Sequence, residues 1–250
     1  ANVNVVFIGK KDKVDAAVYE NGEALKKLIS NMGVEALSDL QPEDMDEAIR
    51  VLNKYAPDLH FAMADNKYSF RKYNNVRDVC IALRQPIGQE DFDLRHKTNY
   101  ITTYYVCCST HFPNTLTYSQ PFEAELLPWL SLAKGFDGML RWAYNSWPEN
   151  PQYDSRFAKF ASGDTYFIYP YARSSIRFER LVDGIEAYEK AKILMYDFTV
   201  SNRAERLEPL NEVLERMRTT TPQDKTQPWN QILRDAIKTL DDISRRPGDN

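Results

Sequence analysis

Short apolar segments alternate with longer segments of mixed polarity along the first 200 residues. The apolar segments are rich in β-branched and aromatic residues and end near Gly, Pro, Asn or Asp, which is typical of buried strands. Residues 100–108, YITTYYVCC, give the strongest such signal because no charge interrupts them. The pattern predicts strands at 3–9, at a short segment ending near 39, at 59–64, 78–84, 100–108 and 138–144, with a further β-rich run at 164–170.

The intervening segments have the spacing of amphipathic helices. Predicted helices lie at 19–32, from Pro42 through about residue 52, at 90–98, at 122–134, and from about Ser175 onward. Gly33 gives a C-cap signal, and Glu43 and Asp44 suit the positive end of the helix that follows Pro42. In the last of these helices the apolar spacing predicts an inner face of Ile176, Leu181, Ile185, Tyr188 and Ile193.

Strands that alternate with helices predict parallel pairing and an α/β fold. At this length the pattern favours a (β/α)8 barrel of the triosephosphate-isomerase type over a small open sheet. Because the pattern supplies only five or six clear strands, either the barrel is incomplete or distorted, or strands are hidden in residues 67–98. Residues 201–250 instead predict two helices, at 202–218 and 227–246. The expected organisation is a barrel over 1–200 and a helical hairpin over 201–250.

Composition and charge exclude several classes of function. The 250 residues carry 32 Lys and Arg against 36 Asp and Glu, a net charge of −4 with no long block of either sign, so no nucleic-acid partner is expected. No run approaches the roughly 18 apolar residues of a membrane span, and no signal sequence opens the chain. His60, His96 and His111 are widely spaced. Without metal-ligand spacing or a nucleotide-binding motif, no metal or cofactor is expected.

The three cysteines do not form a disulfide framework. Cys107 and Cys108 are neighbours in a predicted apolar strand, where they cannot easily bridge each other. We therefore expect buried thiols, and burial argues against a thiol nucleophile because it raises the thiol pKa.

Residues 135–157, GFDGMLRWAYNSWPENPQYDSRF, concentrate aromatic and polar side chains in a segment with many backbone breakers. In a parallel barrel the active site lies where the strands end and the loops begin. This rule places the loops after residues 39, 64, 108 and 144 at one rim. A pocket rim needs irregular backbone and aromatic side chains together, which accounts for the composition of this segment.

Several spaced motifs in this half of the chain resemble one known family. The motifs are TTYYVCCSTHFPNTLTYSQPFEAE, DGMLRWAYNSW, DSRF, SGDTYFIYP and SSIRFERLVDGIEAYEK. In this order they resemble the catalytic domain of glycoside hydrolase family 123, and the likeness spans roughly residues 36–195. The resemblance implies a (β/α)8 barrel that hydrolyses β-linked N-acetylgalactosaminides with retention, the substrate's own 2-acetamido group acting as nucleophile.

That chemistry requires two adjacent carboxyl groups at a strand end. In the family pattern an Asp orients the acetamido group, and the following Glu protonates the leaving oxygen and later activates water. The matching text here is SDLQPEDM, in which Asp39 fills the first position and Leu40 replaces the acid. Leu40 cannot donate a proton, and Glu43, in the first turn of the next helix, points away from the strand end. Taken without the resemblance, Asp39 is more simply explained as a loop residue or an N-terminal helix cap; with the resemblance, a place facing the pocket is an equal alternative.

The resemblance also implies sugar-binding residues after the strand at 138–144. Tyr144, Asn145 and Trp147 lie beyond the strand and are the better ligand candidates, with Trp142 as a fourth. Aromatic faces stack on the apolar face of a hexose, and placed polar groups fix its orientation. For Trp142, which lies on the predicted strand itself, a place in the barrel interior is the alternative.

Two further candidates come from neighbouring elements. Tyr104 and Tyr105 alternate faces on their strand, so Tyr104 either directs its hydroxyl toward a ligand or fills the barrel. Arg177 is either a substrate-binding residue or the partner of a structural ion pair with Glu179 or Asp164.

Two functions follow from these residues. The first is a retaining glycoside hydrolase acting on a glycan or amino-sugar substrate, with Asp39 as its catalytic residue. The second is a carbohydrate-binding barrel that has lost its acid, as Leu40 indicates. Missing strands would leave a sheet edge that homodimerisation or the helical tail would cover. The resemblance also implies export to the periplasm or the cell surface.

Overall fold

The structure is a computed structural model that describes residues 5–7, 50, 54, 60–65, 76–84, 87–222, 224 and 226–245. The predicted helix at 19–32 and the strand ending near Asp39 lie outside the described residues. Of the helix predicted after Pro42, Arg50 is described and is helical. The chain divides into two compact units, 1–103 and 104–250, and each is described by itself below. The boundary expected at residue 200 stays a prediction.

The first unit contains parallel strands. Strand β1 (Val5–Phe7) pairs in parallel with β2 (His60–Asp65), and β2 pairs in parallel with β3 (Asp78–Ala82). Helix α1 (Gln89–Lys97) follows, and β4 (Ile101–Tyr105) begins in this unit. The strand order is sequential, which is the order that successive right-handed βαβ crossovers generate.

Arg95 connects helix α1 to the strands of this unit. Its Nε donates to Thr102 Oγ1 at 2.6 Å, and its Nη2 donates to the carbonyl oxygens of Arg77 and Ile101 at 2.9 Å each. The side chain is buried and uses its guanidinium donors on main-chain oxygens, so the charge is solvated by the protein backbone. Arg95 therefore fixes the position of α1 beside β3 and β4.

The second unit is mainly helical. After β4 ends, the chain forms α2 (Pro121–Lys134), strand β5 (Gly138–Leu140) and the long helix α3 (Ile176–Val200). A short 3-10 turn (Ala204–Leu207) leads into α4 (Glu208–Thr219) and α5 (Trp229–Ser244). Strand β5 is last in the order β1-β2-β3-β4-β5. Helix α2 begins with a reciprocal capping box between Gln120 and Glu123 and ends at Gly135 in the left-handed conformation.

Most predicted elements are confirmed. The α/β class and the parallel sheet are present, as are the helices at 89–97, 121–134, 208–219 and 229–244. The closed eight-stranded barrel stays a prediction, since the described residues form five strands.

Three predicted strands differ from the structure. The strand at 100–108 ends at Tyr105, and the strand at 138–144 ends at Leu140. Residues 164–170 form turns with two isolated bridges, Asn145 with Tyr166 and Tyr169 with Arg173. In the last of these segments, residues 164–167 are buried in a loop, and such burial produces the same sequence signal as a strand.

The predicted inner face of α3 is partly wrong: Leu181 is buried and Tyr188 is half-buried, but the three isoleucines are not. Ile176, Ile185 and Ile193 are exposed, whereas the buried positions are Arg177, Leu181, Gly184, Ala191 and Phe198. These positions are spaced by three, four or seven residues, so they form one regular stripe. The stripe includes Gly and Ala because α2 lies close: a Cβ added at Gly184 would stand 2.5 Å from the Glu125 carbonyl oxygen. The sequence analysis assigned the large isoleucines to the inner face of α3. Where the backbones of α2 and α3 approach each other, however, the buried position is occupied by Gly184.

We predict that Gly184→Ala destabilises the protein. Helix propensity alone favours Ala by about 1 kcal/mol, but displacing α2 by a methyl group costs about 1–3 kcal/mol. A net loss of up to about 2 kcal/mol in the free energy of unfolding is expected in urea denaturation. Lys192→Ala, at an exposed position of the same helix, is the control and should change stability by less than about 0.5 kcal/mol. A more stable Gly184→Ala protein would contradict the close packing of α2 and α3.

The turn between Tyr169 and Arg173 holds two consecutive non-glycine residues in the left-handed region. Tyr171 has φ +64° and Ala172 has φ +54°, and the Tyr169 amide donates to the Arg173 carbonyl at 2.7 Å. Two positive φ values in a tight turn favour Asn-Gly, so Tyr-Ala at this place carries strain. Tyr171 is 91% exposed, so burial of its ring does not offset that strain.

We predict that Ala172→Gly stabilises the protein by about 1 kcal/mol, since glycine adopts a positive φ without steric cost. The thermal unfolding midpoint should rise. The same substitution at Ala187, inside α3, should instead lower stability by about 1 kcal/mol, because glycine there loses backbone entropy without relieving strain. Equal losses at both positions would contradict the turn geometry.

Candidate functional site

A buried ion pair lies where β4 and β5 end. Arg141 directly follows β5, and its Nη1 donates to the Val106 carbonyl at 2.7 Å, just beyond the end of β4. Its Nη2 donates to Asp164, at 2.8 Å to Oδ1 and 2.6 Å to the carbonyl oxygen. Both side chains are almost fully buried. Burial lowers the pKa of Arg141, and the Asp164 carboxylate opposes that shift. The pair joins two strand ends and one loop at a single point.

A second guanidinium, that of Arg177, lies in the same unit, and no carboxylate among the residues that the structure describes pairs with it. Arg177, at the start of α3, donates from Nη1 to the carbonyl oxygens of Thr115 and Gly163. Its Cζ stands 5.2 Å from the centre of the Tyr166 ring and 5.9 Å from that of Phe167. Burial lowers the pKa of Arg177, and the nearby hydroxyls of Tyr169 and Tyr166 oppose that shift. Its charge is thus balanced by carbonyl dipoles and aromatic faces.

Gly163 provides the space that Arg177 needs. Its φ is +80°, and a Cβ added there would stand 2.6 Å from Arg177 Nη1 and 2.9 Å from the Thr117 amide nitrogen. Only glycine satisfies both the backbone angle and the close approach. Nearby, burial and the adjacent Tyr169 raise the pKa of Tyr166 to about 12, so its phenol stays protonated at neutral pH.

The aromatic segment after β5 is held by main-chain pairing with the loop at 164–168. The Phe167 amide donates to the Tyr144 carbonyl at 2.8 Å, and the Ser146 amide donates to the Thr165 carbonyl at 3.0 Å. The Trp147 indole N–H donates to the Ile168 carbonyl at 2.7 Å. These hydrogen bonds fix the irregular backbone of residues 144–147. The side chains of this segment therefore have defined positions.

The structure brings four of the predicted site residues together on this segment. Tyr144 is 45% exposed and contacts Phe178 edge-on, while Asn145 is exposed beside its bridge to Tyr166. Trp147 is half-buried, with its N–H already satisfied. Trp142 lies past the end of β5, is 37% exposed and contacts the Phe160 ring at 5.0 Å. The alternative place for Trp142, in a closed barrel interior, does not agree with this exposure.

The other predicted residues have different surroundings. Tyr104 is fully buried, and its hydroxyl donates to the Leu127 carbonyl at 2.6 Å. Arg177 is buried as described above, and the ion pair considered for it with Asp164 is wrong because Asp164 binds Arg141. Asp39, Leu40 and Glu43 lie outside the described residues.

Arg141 is the main residue that the sequence analysis did not single out. The available signal was its position: a charged residue that directly follows a short apolar strand and precedes three aromatic residues. A charge at that place in an α/β fold lies at the carboxyl end of the sheet, where functional residues collect.

The cysteine expectation is partly wrong. Cys80 is buried, and burial raises its pKa to about 11, whereas Cys107 is half-buried and Cys108 is exposed because β4 ends before them. All three are free thiols. Within the described ranges, no cluster of three His, Cys, Asp or Glu side chains could hold a metal ion. None of the described helices is long and apolar enough to span a bilayer.

Comparison with known proteins defines the class to which this fold and rim correspond. The model of the glycoside hydrolase 123 catalytic domain matches residues 23–194, more than half of the chain. The protein therefore belongs to glycoside hydrolase family 123, and the resemblance inferred from the sequence is confirmed.

A solved structure agrees with this assignment. The fold is similar to that of a family 123 glycoside hydrolase from Clostridium perfringens, with a TM-score of 0.64 and 21% sequence identity. The match covers 80% of this chain and 40% of that one, so this chain spans less than half the length of that relative. No curated protein is detectably similar to this chain.

We predict that Arg141→Met lowers the free energy of unfolding by about 3–5 kcal/mol, because it leaves the Asp164 carboxylate buried without a countercharge. The double variant Arg141→Met with Asp164→Leu should recover a large part of that loss, since neither charge then remains. Urea denaturation of the two single variants and the double variant measures the coupling. Arg156→Ala breaks an exposed pair with Asp154 and serves as the control, with no measurable change expected. An Arg141→Met protein as stable as this control would contradict the role given to the pair.

Proposed function

We propose that this chain binds a glycan containing β-linked N-acetylhexosamine, of the N-acetylgalactosamine type, and hydrolyses it with retention. The observation that carries the proposal is the family match over 23–194, a range that contains every residue assigned to the site. The related Clostridium perfringens enzyme has been described in terms of glycolipid glycan hydrolysis.

The rim residues supply binding and orientation in this proposal. The half-exposed ring of Tyr144 offers an aromatic face for the apolar face of the sugar, and the Asn145 amide can both donate and accept hydrogen bonds. Trp147 and Trp142 border the same segment. The Arg141–Asp164 pair touches no sugar in this proposal; it holds the strand ends that carry the binding residues.

The chemistry would be assisted by the substrate. The acetamido carbonyl oxygen forms a bond to the anomeric carbon as the glycosidic bond breaks, and the leaving oxygen takes a proton. Water then opens the resulting oxazolinium and restores the sugar with its original configuration. Asp39 is the residue proposed to orient the acetamido group and to stabilise its developing positive charge. A general acid contributes about 10²- to 10⁴-fold in rate, and Leu40 stands where the family pattern has it.

A second candidate function is a non-catalytic glycan-binding protein, which Leu40 favours. The structure adds one relevant observation: the buried carboxylate of Asp164, at the rim, accepts a hydrogen bond at Oδ1 from Arg141. This carboxylate is almost fully buried and engaged by a guanidinium, so it offers no exposed oxygen to a glycosidic bond. If turnover occurs, its acid must therefore be a group other than Leu40 and other than Asp164 in this arrangement.

We predict that the protein releases p-nitrophenol from p-nitrophenyl N-acetyl-β-galactosaminide and that Asp39→Asn abolishes the release. Sugar binding by calorimetry on the same samples separates loss of chemistry from loss of binding. Leu40→Glu, which restores the family's carboxyl pair, should raise kcat by about 10² or more. Binding without turnover in the wild type, with activity gained in Leu40→Glu, would establish the non-catalytic alternative.

Absence of both turnover and binding in all three proteins would overturn the proposal itself. Tyr144→Ala tests the location of the sugar in the same calorimetric assay and should weaken binding about tenfold or more. Tyr153→Ala, at an exposed tyrosine outside the segment, is the matched control.

A further inference from the structure

Two adjacent thiols lie just beyond the end of β4. Cys107 is half-buried, Cys108 is exposed, and both are free. The preceding carbonyl, that of Val106, accepts a hydrogen bond from Arg141. Burial lowers the pKa of Arg141, and both thiols are near enough to oppose that shift. The pair of thiols therefore lies beside the ion pair of Arg141 and Asp164, at the carboxyl end of the sheet.

A turn contains the two cysteines. The Thr110 amide donates to the Cys107 carbonyl at 2.8 Å, which closes a turn over residues 107–110. In a strand the two side chains would point to opposite faces, and the sequence analysis expected no bridge between them for that reason. In a turn this objection does not hold. Cys107 Sγ lies 3.1 Å from Ser109 Oγ, so this thiol follows the turn.

The surroundings of Cys108 determine when its thiol reacts. Partial burial of the sulfur raises the pKa of Cys108, and the Asp164 carboxylate and the neighbouring Cys107 thiol raise it further. The thiol is therefore protonated at neutral pH. Because the thiolate is the attacking species in thiol–disulfide exchange, exchange at Cys108 should accelerate as the pH rises.

The peptide between the two cysteines accepts two hydrogen bonds. Its oxygen, the Cys107 carbonyl, accepts from the Thr110 amide and, at 2.9 Å, from the side-chain amide of Asn114. Asn114 is buried, and its own backbone amide donates at 2.9 Å to Glu123, a member of the capping box of α2. A reorientation of this one peptide would therefore act on the loop that leads to the start of α2.

We propose that Cys107 and Cys108 form a reversible disulfide with each other, and that its formation releases the Cys107 carbonyl from Asn114. The oxidant is a small-molecule disulfide such as glutathione disulfide. The Cys108 thiolate attacks one sulfur of this disulfide and expels the other as a thiol. The Cys107 thiolate then attacks the Cys108 sulfur and expels the second thiol. The two cysteines lose two protons and two electrons, which convert one molecule of the oxidant into two thiols.

The geometry of adjacent residues makes this disulfide easy to reduce. Adjacent Cα atoms are about 3.8 Å apart, whereas those of a disulfide usually stand about 4.4–6.8 Å apart. The connecting peptide must therefore reorient when the ring closes, and strained or exposed disulfides are the labile, regulatory ones. The ring encloses almost no chain, so it provides little of the stabilisation that closing a long loop gives. Oxidation should therefore lower the stability of the protein. This inference does not depend on the proposed function.

The experiment treats the whole chain with glutathione disulfide and follows the intact mass and the peptide that contains both cysteines. The wild type should lose two hydrogen atoms, retain no glutathione and return to its original mass with dithiothreitol. Cys107→Ser should instead retain one glutathione at Cys108, because no second thiol displaces it. Cys80→Ser removes the buried thiol of β3 and is the matched control, which should behave as the wild type does.

Three results would overturn the disulfide: a wild type that retains glutathione as Cys107→Ser does, a wild type that forms disulfide-linked dimers, or a wild type that does not react.

Thermal unfolding tests the release of Asn114. The unfolding midpoint of the oxidised wild type should fall and should return on reduction. In Asn114→Ala, which lacks the donor to the Cys107 carbonyl, oxidation should lower the midpoint by less. An oxidised wild type as stable as the reduced protein, or an equal fall in Asn114→Ala, would overturn this part of the proposal.

Discussion

The site in this protein depends on the guanidinium of Arg141. A charge buried at the end of a sheet is costly unless it is paired and hydrogen-bonded. Arg141 Nη1 and Nη2 meet this requirement with one strand end, one carboxylate and one loop carbonyl, while its Nε has no hydrogen-bond partner among the described residues. Because Val106 and Asp164 are distant in sequence, this one side chain connects segments that secondary structure alone would leave independent. The aromatic residues after β5 occupy defined positions because the backbone on both sides of them is fixed in this way.

The helices of the second unit are placed by a different constraint, the close approach of α2 and α3. Gly184 lets the two backbones approach, because a Cβ there would stand 2.5 Å from the Glu125 carbonyl oxygen. An apolar groove of about 290 Å³ lies beside β5 and is lined by residues of α2, β5 and α3. Leu181 packs against Ala124 of α2, and both Leu181 and Ile185 line the groove. Tight contact at one face of α3 thus accompanies an opening at the next.

Local sequence patterns predicted most helices and strands correctly, but they were less successful in predicting which face of a helix is buried. Val, Ile and Tyr at 100–105 mark a strand because these residues fit a pleated, half-buried surface, and that strand is present. The same residue types at 164–170 lie in a loop layer that is just as buried, so composition could not separate the two. For α3, counting large apolar residues selected Ile185 and Ile193, because nothing local signals that a neighbouring backbone will require glycine. The rim residues Tyr144, Asn145 and Trp147 were found through a motif, whereas Arg141 depends on partners at positions 106 and 164, which no local window contains.

The contact between Gly163 and Arg177 couples the substitutions that these two positions can accept. Arg177 Nη1 occupies the space that any side chain at 163 would need, and the positive φ there independently disfavours one. A change at 163 would expel the guanidinium from its carbonyl cradle, while a shorter residue at 177 would leave the carbonyls of Thr115 and Gly163 without their donor. A substitution at either position alone should therefore destabilise the protein. In proteins that evolve from this sequence, we expect residues 163 and 177 to change together. A chimera that takes only one of the two positions from another protein should lose the structure of the loop around Gly163 before it loses the helices.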